Sequence, residues 1–412
     1  MHVNSSGIFH KIASLLNHSG KEGEAWRRNL YSLWCAQFMA SVGLSMISPF
    51  LPLFLRELGV AGSEEIKIWS GIVFAAPFAV SAFMQPLWGI MGDRRGRKPM
   101  VVRAMLGLAL AHALMGFSQS ASQLLILRLL QGSLAGFIAP SLALLASCTP
   151  PEKTGSALGT LQSALVSGTI VGPLIGGLLA HIIGSRPIFF WTGFFCLAGA
   201  VIVIRFVKED FVPSEKENKS YLMTNIRSVF LSKELRTLFL LLVIVQFSVF
   251  FVAPFLALYV EFLKVSKDYV ELATGLAFGI TGITSAIAAP ILGSRGDKIG
   301  HRGILRISLA GIIVFILPQA FVTNVYQLLF LRAGLGIFVA GTAPSINTIV
   351  HRSTSAQDRG GIYGIFQSGY LIGNMAGPLL GGLMAAYFGL RSIFLITSLI
   401  LCFGVILARK IK

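Results

Sequence analysis

Residues 89–98 read Gly-Ile-Met-Gly-Asp-Arg-Arg-Gly-Arg-Lys, and residues 293–302 read Gly-Ser-Arg-Gly-Asp-Lys-Ile-Gly-His-Arg. Gly89, Asp93 and Gly96 return as Gly293, Asp297 and Gly300, each 204 residues on. The same offset carries Arg128, Gly132 and Pro140 to Arg332, Gly336 and Pro344. At 205 residues, Gly172-Pro173 and Gly176-Gly177 return as Gly377-Pro378 and Gly381-Gly382, and Gln162 and Arg186 as Gln367 and Arg391. One residue gained in a loop of the second half accounts for the step. The chain is an internal duplication, so its fold must be built twice.

Composition sets the medium. Of 412 residues, 54% are hydrophobic, 44 are glycine and only 12% are charged. Soluble domains carry about 25% charged residues, and a water-soluble surface of this size cannot be covered with half that share. Disorder is excluded by the hydrophobicity. Apolar runs of roughly 18–25 residues cross a hydrocarbon core of about 30 Å as α-helix. Barrel strands would be near 10 residues long and alternate polar with apolar. The pattern predicts an all-α membrane protein with twelve spans, near 30–55, 69–92, 100–118, 122–148, 156–183, 187–206, 236–260, 271–294, 303–321, 325–350, 360–387 and 391–408. The charged stretch 208–235 divides them, giving a tail (1–28), a six-helix half (29–207), a linker and a second six-helix half with a short tail (236–412). Six spans separate the copies, so both halves share one orientation, and parallel repeats place substrate sites at their interface.

The net charge of +17 suggests nucleic acid only until the basic residues are placed. With the N-terminus in the cytoplasm, 26 of the 34 Lys and Arg fall on the cytoplasmic side, six on the other, and Arg128 and Arg332 within spans. That asymmetry orients a membrane protein with both termini inside and leaves no nucleic-acid reading. Cys35, Cys148, Cys196 and Cys402 show no metal spacing, and no GxxxxGK[ST] loop is present, so neither cofactor nor metal is expected. The first apolar run begins near Leu30, too far in for a signal peptide. Before it, Ile8, Phe9, Ile12, Leu15 and Leu16 suit either a short interfacial helix or a disordered tail.

Three motifs carry mechanism. In the first, Gly89 allows close helix approach and Gly96 a tight turn. Asp93 sits where a carboxylate can cap a neighbouring helix, with Arg94, Arg97 and Lys98 nearby and Arg97 as its ion-pair partner. Gly293, Asp297 and Gly300 are the weaker second copy. In the second, Arg128 precedes Gln131 and Gly132 inside a span, where a guanidinium is costly and kept for function or snorkels to the outer interface. Arg332 and Gly336 repeat it without the glutamine. In the third, Gly168, Gly172, Pro173, Gly176 and Gly177 put small residues at helical spacing around a bend, and Gly373, Gly377, Pro378, Gly381 and Gly382 repeat them.

Together these motifs resemble the major facilitator superfamily. The first resembles its GxxxDRxGRR loop, and the third the gxxxGPxxGG pattern of its drug–proton antiporters. The resemblance implies the major facilitator fold. It also implies a monomeric inner-membrane transporter in the lipid bilayer, exporting amphipathic small molecules against protons by alternating access. An enzyme or receptor would need a soluble domain or catalytic cluster, and neither is seen. The alternative within the fold is a metabolite or nutrient transporter, symporter or uniporter. The resemblance makes the Asp93 loop a latch against the eleventh span.

Candidate cavity residues are Gln37, Phe38, Ser41, Gln162, Gln246, Phe250, Gln367 and Asn374, each equally able to make an interhelical hydrogen bond. None of the 17 acids falls at the middle of a span. Many relatives carry such a carboxylate, so proton coupling here falls to edge groups or histidine: Glu57, Asp93 or His112. Glu57 is the favoured one, with Arg128 as its expected partner.

Overall fold

The computed structural model describes residues 25–209, 211, 227–355 and 358–410. The apolar tail positions and most of the linker lie outside the described residues.

Twelve apolar helices follow in order: α1 Ala25–Glu57, α2 Ser63–Arg95, α3 Arg97–Gly116, α4 Ala121–Cys148, α5 Pro151–Ile183, α6 Arg186–Phe206, α7 Lys233–Phe262, α8 Lys267–Ile299, α9 His301–Phe321, α10 Val325–Arg352, α11 Gly361–Phe388 and α12 Ser392–Ala408. Eleven are long enough to cross a membrane, α12 being shorter. No strand occurs among the described residues. The chain is a multi-pass membrane protein of two six-helix halves.

Local sequence explains where the helices start, stop and bend. Ser120, Ser232 and Asn324 accept the backbone N–H of Gln123, Leu235 and Gln327, satisfying first-turn donors of α4, α7 and α10. Gly96 and Gly300 end α2 and α8 at φ 98° and 93°, the left-handed conformation that glycine tolerates. The loop motif is thus mostly helical: Asp93 lies in the last turn of α2, and the turn itself is little more than Gly96. Repeat-related prolines, Pro49 and Pro254, sit in the 3₁₀ turns Ser48–Phe50 and Ala253–Phe255 that interrupt α1 and α7.

α4 is broken at residues 135–137, where Gly136 takes φ 110°. The break frees carbonyls, which in an apolar medium must find donors. Trp88 Nε1 donates to Ser133 O (2.7 Å) and Arg103 to Leu134 O (2.8 Å), with the Arg103 guanidinium 3.7 Å from the Trp88 ring centroid. The second half has Leu292 and Ile307 at the matching positions, so this device belongs to the first half alone.

Among the described residues the halves meet at one face only. Near the starts of α2 and α8 and the ends of α5 and α11 they are in backbone contact, described below. At the other ends of these helices the faces stand apart. An added Cβ at Gly89, Gly293, Gly155, Gly159 or Gly364 would meet nothing within 4 Å. The face bearing the Gly96 and Gly300 turns, here the motif face, is open; the opposite face is sealed.

Candidate functional site

The glycine stripe of α5 resolves into two rows with different partners. Gly168, Gly172 and Gly176 turn towards α1 of their own half. A Cβ at Gly168 would come 2.9 Å from Phe38 O, and one at Gly172 2.6 Å from Val42 O, while Gly176 abuts Met46. Ser45 donates to Gly168 O at 3.0 Å across the same contact. Pro173 and Gly177 turn instead to α8 of the other half. A Cβ at Gly177 would lie 2.9 Å from Glu271 O and 3.0 Å from Gly275 Cα; one at Gly275 would lie 2.6 Å from Pro173 O.

The second half repeats the plan. Gly373, Gly377 and Gly381 pack on α7, with prospective Cβ contacts of 2.9 Å to Val243 O, 2.7 Å to Phe247 O and 2.5 Å to Phe251 O. Pro378 and Gly382 meet α2 of the first half. Gly71 lies against the Pro378 carbonyl, and a Cβ at Gly382 would reach Lys67 O at 2.7 Å. The motif is therefore a backbone-to-backbone seal between halves, held rigid by a second row against each half's own first helix.

Side chains complete the sealed face. Arg56 and Glu261, 205 residues apart and so at matching ends of α1 and α7, form an ion pair of 2.7 Å between the halves. Below it, Phe250 of α7 packs edge-on against Phe74 and Phe78 of α2, centroids 6.2 and 5.4 Å away. Ile170 of α5 meets α8 at Gly282, and Leu174 at Gly279. Phe74 and Phe78 were not among the expected residues, although their i, i+4 spacing beside a glycine gave a signal for them.

With the motif face open, Asp93 caps no helix, and its expected pairing with Arg97 is not formed. Asp93 is exposed and bonds to no described residue. Arg97 does not pair with it; its guanidinium donates to Ala143 O at 3.2 Å. The carboxylate that caps a helix here is Glu209, just beyond α6. Its oxygens accept the N–H groups of Arg97 and Lys98, both at 2.8 Å, at the first turn of α3. Asn29 holds that segment by accepting from Lys208 N (2.9 Å) and donating to Lys208 O (2.8 Å). Gly89 makes no close helix contact, because the motif face is open. In the second half, Asp297 meets His301 at 3.0 Å and lies 4.0 Å from Arg352.

Arg128 and Arg332 are buried and do not snorkel. Arg128 donates to Gln131 at 2.9 Å, while its Nε and one terminal nitrogen have no partner among the described residues. Arg332 is buried near Tyr259 with the same two nitrogens unpartnered. Gly132 and Gly336 explain the burial: they press α4 onto Pro77 of α2 and α10 onto Thr281 of α8, again 204 residues apart. His112 is fully buried within electrostatic reach of Arg128, with Nδ1 2.8 Å from Leu108 O.

Arg128 is not the partner of Glu57. The Glu57 carboxylate bonds Ser185 and faces Arg186, since the end of α1 lies beside the start of α6 rather than over α4.

The eight candidate cavity residues divide. Gln37 is buried and ties α1 to α5 through Leu161 O (3.2 Å), and Ser41 lies buried under Gly168. Gln162 and Gln367 are exposed, and Gln246 and Phe250 half-buried. Phe38 is half-buried, stacked on Trp34 at 5.3 Å, and Trp34 donates to Ser163 at 3.0 Å. Asn374 is buried, with Tyr370 as its side-chain hydrogen-bond neighbour on the same helix.

The sequence profile of the Major Facilitator Superfamily matches residues 33–273 and 238–411. The multidrug resistance protein MdtG of Yersinia enterocolitica is 39% identical over 390 residues, 94% of this chain and 93% of its own. That of Rahnella sp. is 38% identical over 383 residues, 92% of each. Among solved structures, the human organic anion transporter MFSD10 aligns over 93% of this chain and 99% of its own, with a TM-score of 0.70 and 18% identity. A bacterial homologue of the human lysosomal transporter Spinster aligns over 93% and 96%, with a TM-score of 0.77 and 15% identity. At such identities these two speak to fold alone.

Proposed function

Because the chain belongs to the major facilitator superfamily, we propose that it exports amphipathic small molecules, drugs among them, by alternating access in exchange for protons. A member of this family is a membrane transporter rather than an enzyme. The observation that carries the reading is the one-sided barrier. Pro173, Gly177, Pro378 and Gly382 close one face by backbone contact while the motif face stays open. A pathway shut at one end only is what alternating access requires in each of its states. The multidrug name of relatives near 38% identity supports drugs as substrates.

In this reading the motif face is cytoplasmic, as the excess of Lys and Arg on that side supports. The protein lies in the bacterial inner membrane as a monomer with both termini inside. Residues 29–207 and 236–412 act as the two rocking bodies, with 208–235 joining them. Protons enter through edge groups, since no acid lies mid-span. The test is expression in cells lacking their major pumps, challenged with a panel of amphipathic drugs. Lowered drug accumulation with wild type, lost in Arg128→Lys at equal expression, is the expected outcome. Reconstituted vesicles should release protons when drug is added. Drug export without proton movement would replace antiport by another driving ion, and no protection against any drug would remove the efflux reading.

A further inference from the structure

The sealed face holds a group that the transport reading does not use. His181, at the end of α5, reaches across to the other half. Its Nδ1 meets the backbone carbonyl of Asp268, and its ring stacks on Tyr269 with centroids 5.3 Å apart and planes 24° apart. The carboxylate of Glu271 lies within electrostatic reach of the His181 ring, and those of Asp268 and Glu57 lie within reach of Glu271. The nearby cation, Arg186, faces Glu57 and is held by the carbonyls of Gly116 and Ser118 at 3.0 and 2.9 Å. An imidazole from one half therefore sits in a recess of the other made of a carbonyl, an aromatic face and acids.

We infer that His181 and its recess on Asp268, Tyr269 and Glu271 form a proton-operated clamp, closing the sealed face when the imidazole is protonated. The chemistry sets the sign. Imidazole ordinarily titrates between pH 5 and 8. Its neutral form with hydrogen on Nδ1 keeps the carbonyl bond, and the cation keeps it too. The cation alone is attracted by the Glu271 carboxylate, to which the neighbouring Asp268 adds negative charge, and by the face of Tyr269. These groups come together only when this face is shut, because His181 and the recess belong to different halves. Protonation therefore favours the state closed here and open at the motif face. On the proposed orientation the clamp reads the pH outside the cell. The inference concerns which face is open and stands whether or not the cargo is a drug.

The experiment uses the full chain in lipid nanodiscs, with the four native cysteines replaced by serine and spin labels at Gln119→Cys and Thr323→Cys. These exposed sites lie in the α3–α4 and α9–α10 loops on the sealed face. Double electron–electron resonance gives the ratio of short to long distances at pH 8 and pH 5.5. Wild type should gain about two- to five-fold in that ratio on acidification, the size of a partly exposed ion pair. His181→Gln should respond less than half as much. The double variant Asp268→Asn, Glu271→Gln keeps the ring contacts and should show the same loss, and it decides the matter should His181→Gln fail to fold. A wild-type ratio unmoved by pH, or a wild-type response in both variants, overturns the clamp.

Discussion

Gly176 and Gly177 are neighbours in sequence, yet they face different bodies, and a valine at each should fail differently. A Cβ at Gly177 would stand 2.9 Å from Glu271 O and 3.0 Å from Gly275 Cα. Ordinary contacts begin near 3.5 Å, and both obstacles are backbone. Valine adds two further methyls, so the halves cannot close to their present distance. Overpacking of this kind costs about 1–3 kcal/mol. Only the state sealed at this face bears it, since the opposite state parts α5 from α8. A differential of about 1–3 kcal/mol moves an equilibrium roughly 5- to 150-fold, towards the sealed face standing open. Gly176 abuts Met46 of α1 within one half, a contact that rocking of the halves as bodies would leave in place. Gly176→Val should lower the thermal midpoint by several degrees and leave the distance ratio of the 119/323 label pair unchanged. Gly177→Val should shift that ratio and change the midpoint less. If both variants lower the midpoint equally and neither moves the distances, the two-row reading of the stripe is wrong.

Asp93→Asn should insert and melt as wild type, because Asp93 bonds to no described residue here, yet lose efflux several-fold. A helix-end charge term of about 0.3–1 kcal/mol would be lost from the other state; normal efflux at normal expression removes the latch. Glu209→Ala should lower the midpoint measurably, since two first-turn N–H groups of α3 lose their acceptor, a capping loss of about 0.5–2 kcal/mol; an unchanged midpoint would show that water replaces it. Arg128→Met should be at least as stable as wild type, because the buried guanidinium is only partly satisfied and an apolar side chain of similar length avoids its desolvation; a large fall in midpoint would refute this. Glu57→Gln should reduce drug-driven proton release in vesicles, and exchange at the wild-type ratio would exclude Glu57 from coupling.

The duplication was legible because the residues that recur are those whose chemistry has no substitute. Gly96 needs its left-handed φ, and Gly132 and Gly336 need a missing Cβ against α2 and α8. The spans were legible from length and hydropathy, with Gly96, Gly184, Gly300 and Gly389 marking turns. The break in α4 was not, because Ala135-Gly136-Phe137 is apolar and reads as span; its cause is the pairing of Trp88 and Arg103 with the freed carbonyls, which only the fold brings together. The partners of acids were the least legible. Asp93 was expected to cap a helix, and Glu209 caps one instead, from a segment read as solvated linker. Glu57 does not meet its expected partner Arg128, because lateral position decides the pair, and Arg186 is the neighbour. Charge pairs depend on which helices are adjacent at one level, which span-by-span reading does not specify.

Glycine has a particular use at the sealed face, where it stands beside the apolar interlock of Phe74, Phe78 and Phe250. Alternating access needs both states within a few kcal/mol of each other; moving an equilibrium from 1:99 to 99:1 already takes about 5.5 kcal/mol. Each buried CH₂ is worth about 0.8 kcal/mol, so a few leucines shut away only in the sealed state would hold it there. At Gly71, Gly177, Gly275 and Gly382 the backbones themselves exclude water, and these positions add no apolar side chain to the Phe74, Phe78 and Phe250 cluster already buried between the halves. The Arg56–Glu261 pair adds little, since its side chains are 41% and 27% exposed and such pairs are worth at most about 1 kcal/mol. At these four glycines the seal is tight in geometry and adds little to the apolar area that only the sealed state buries.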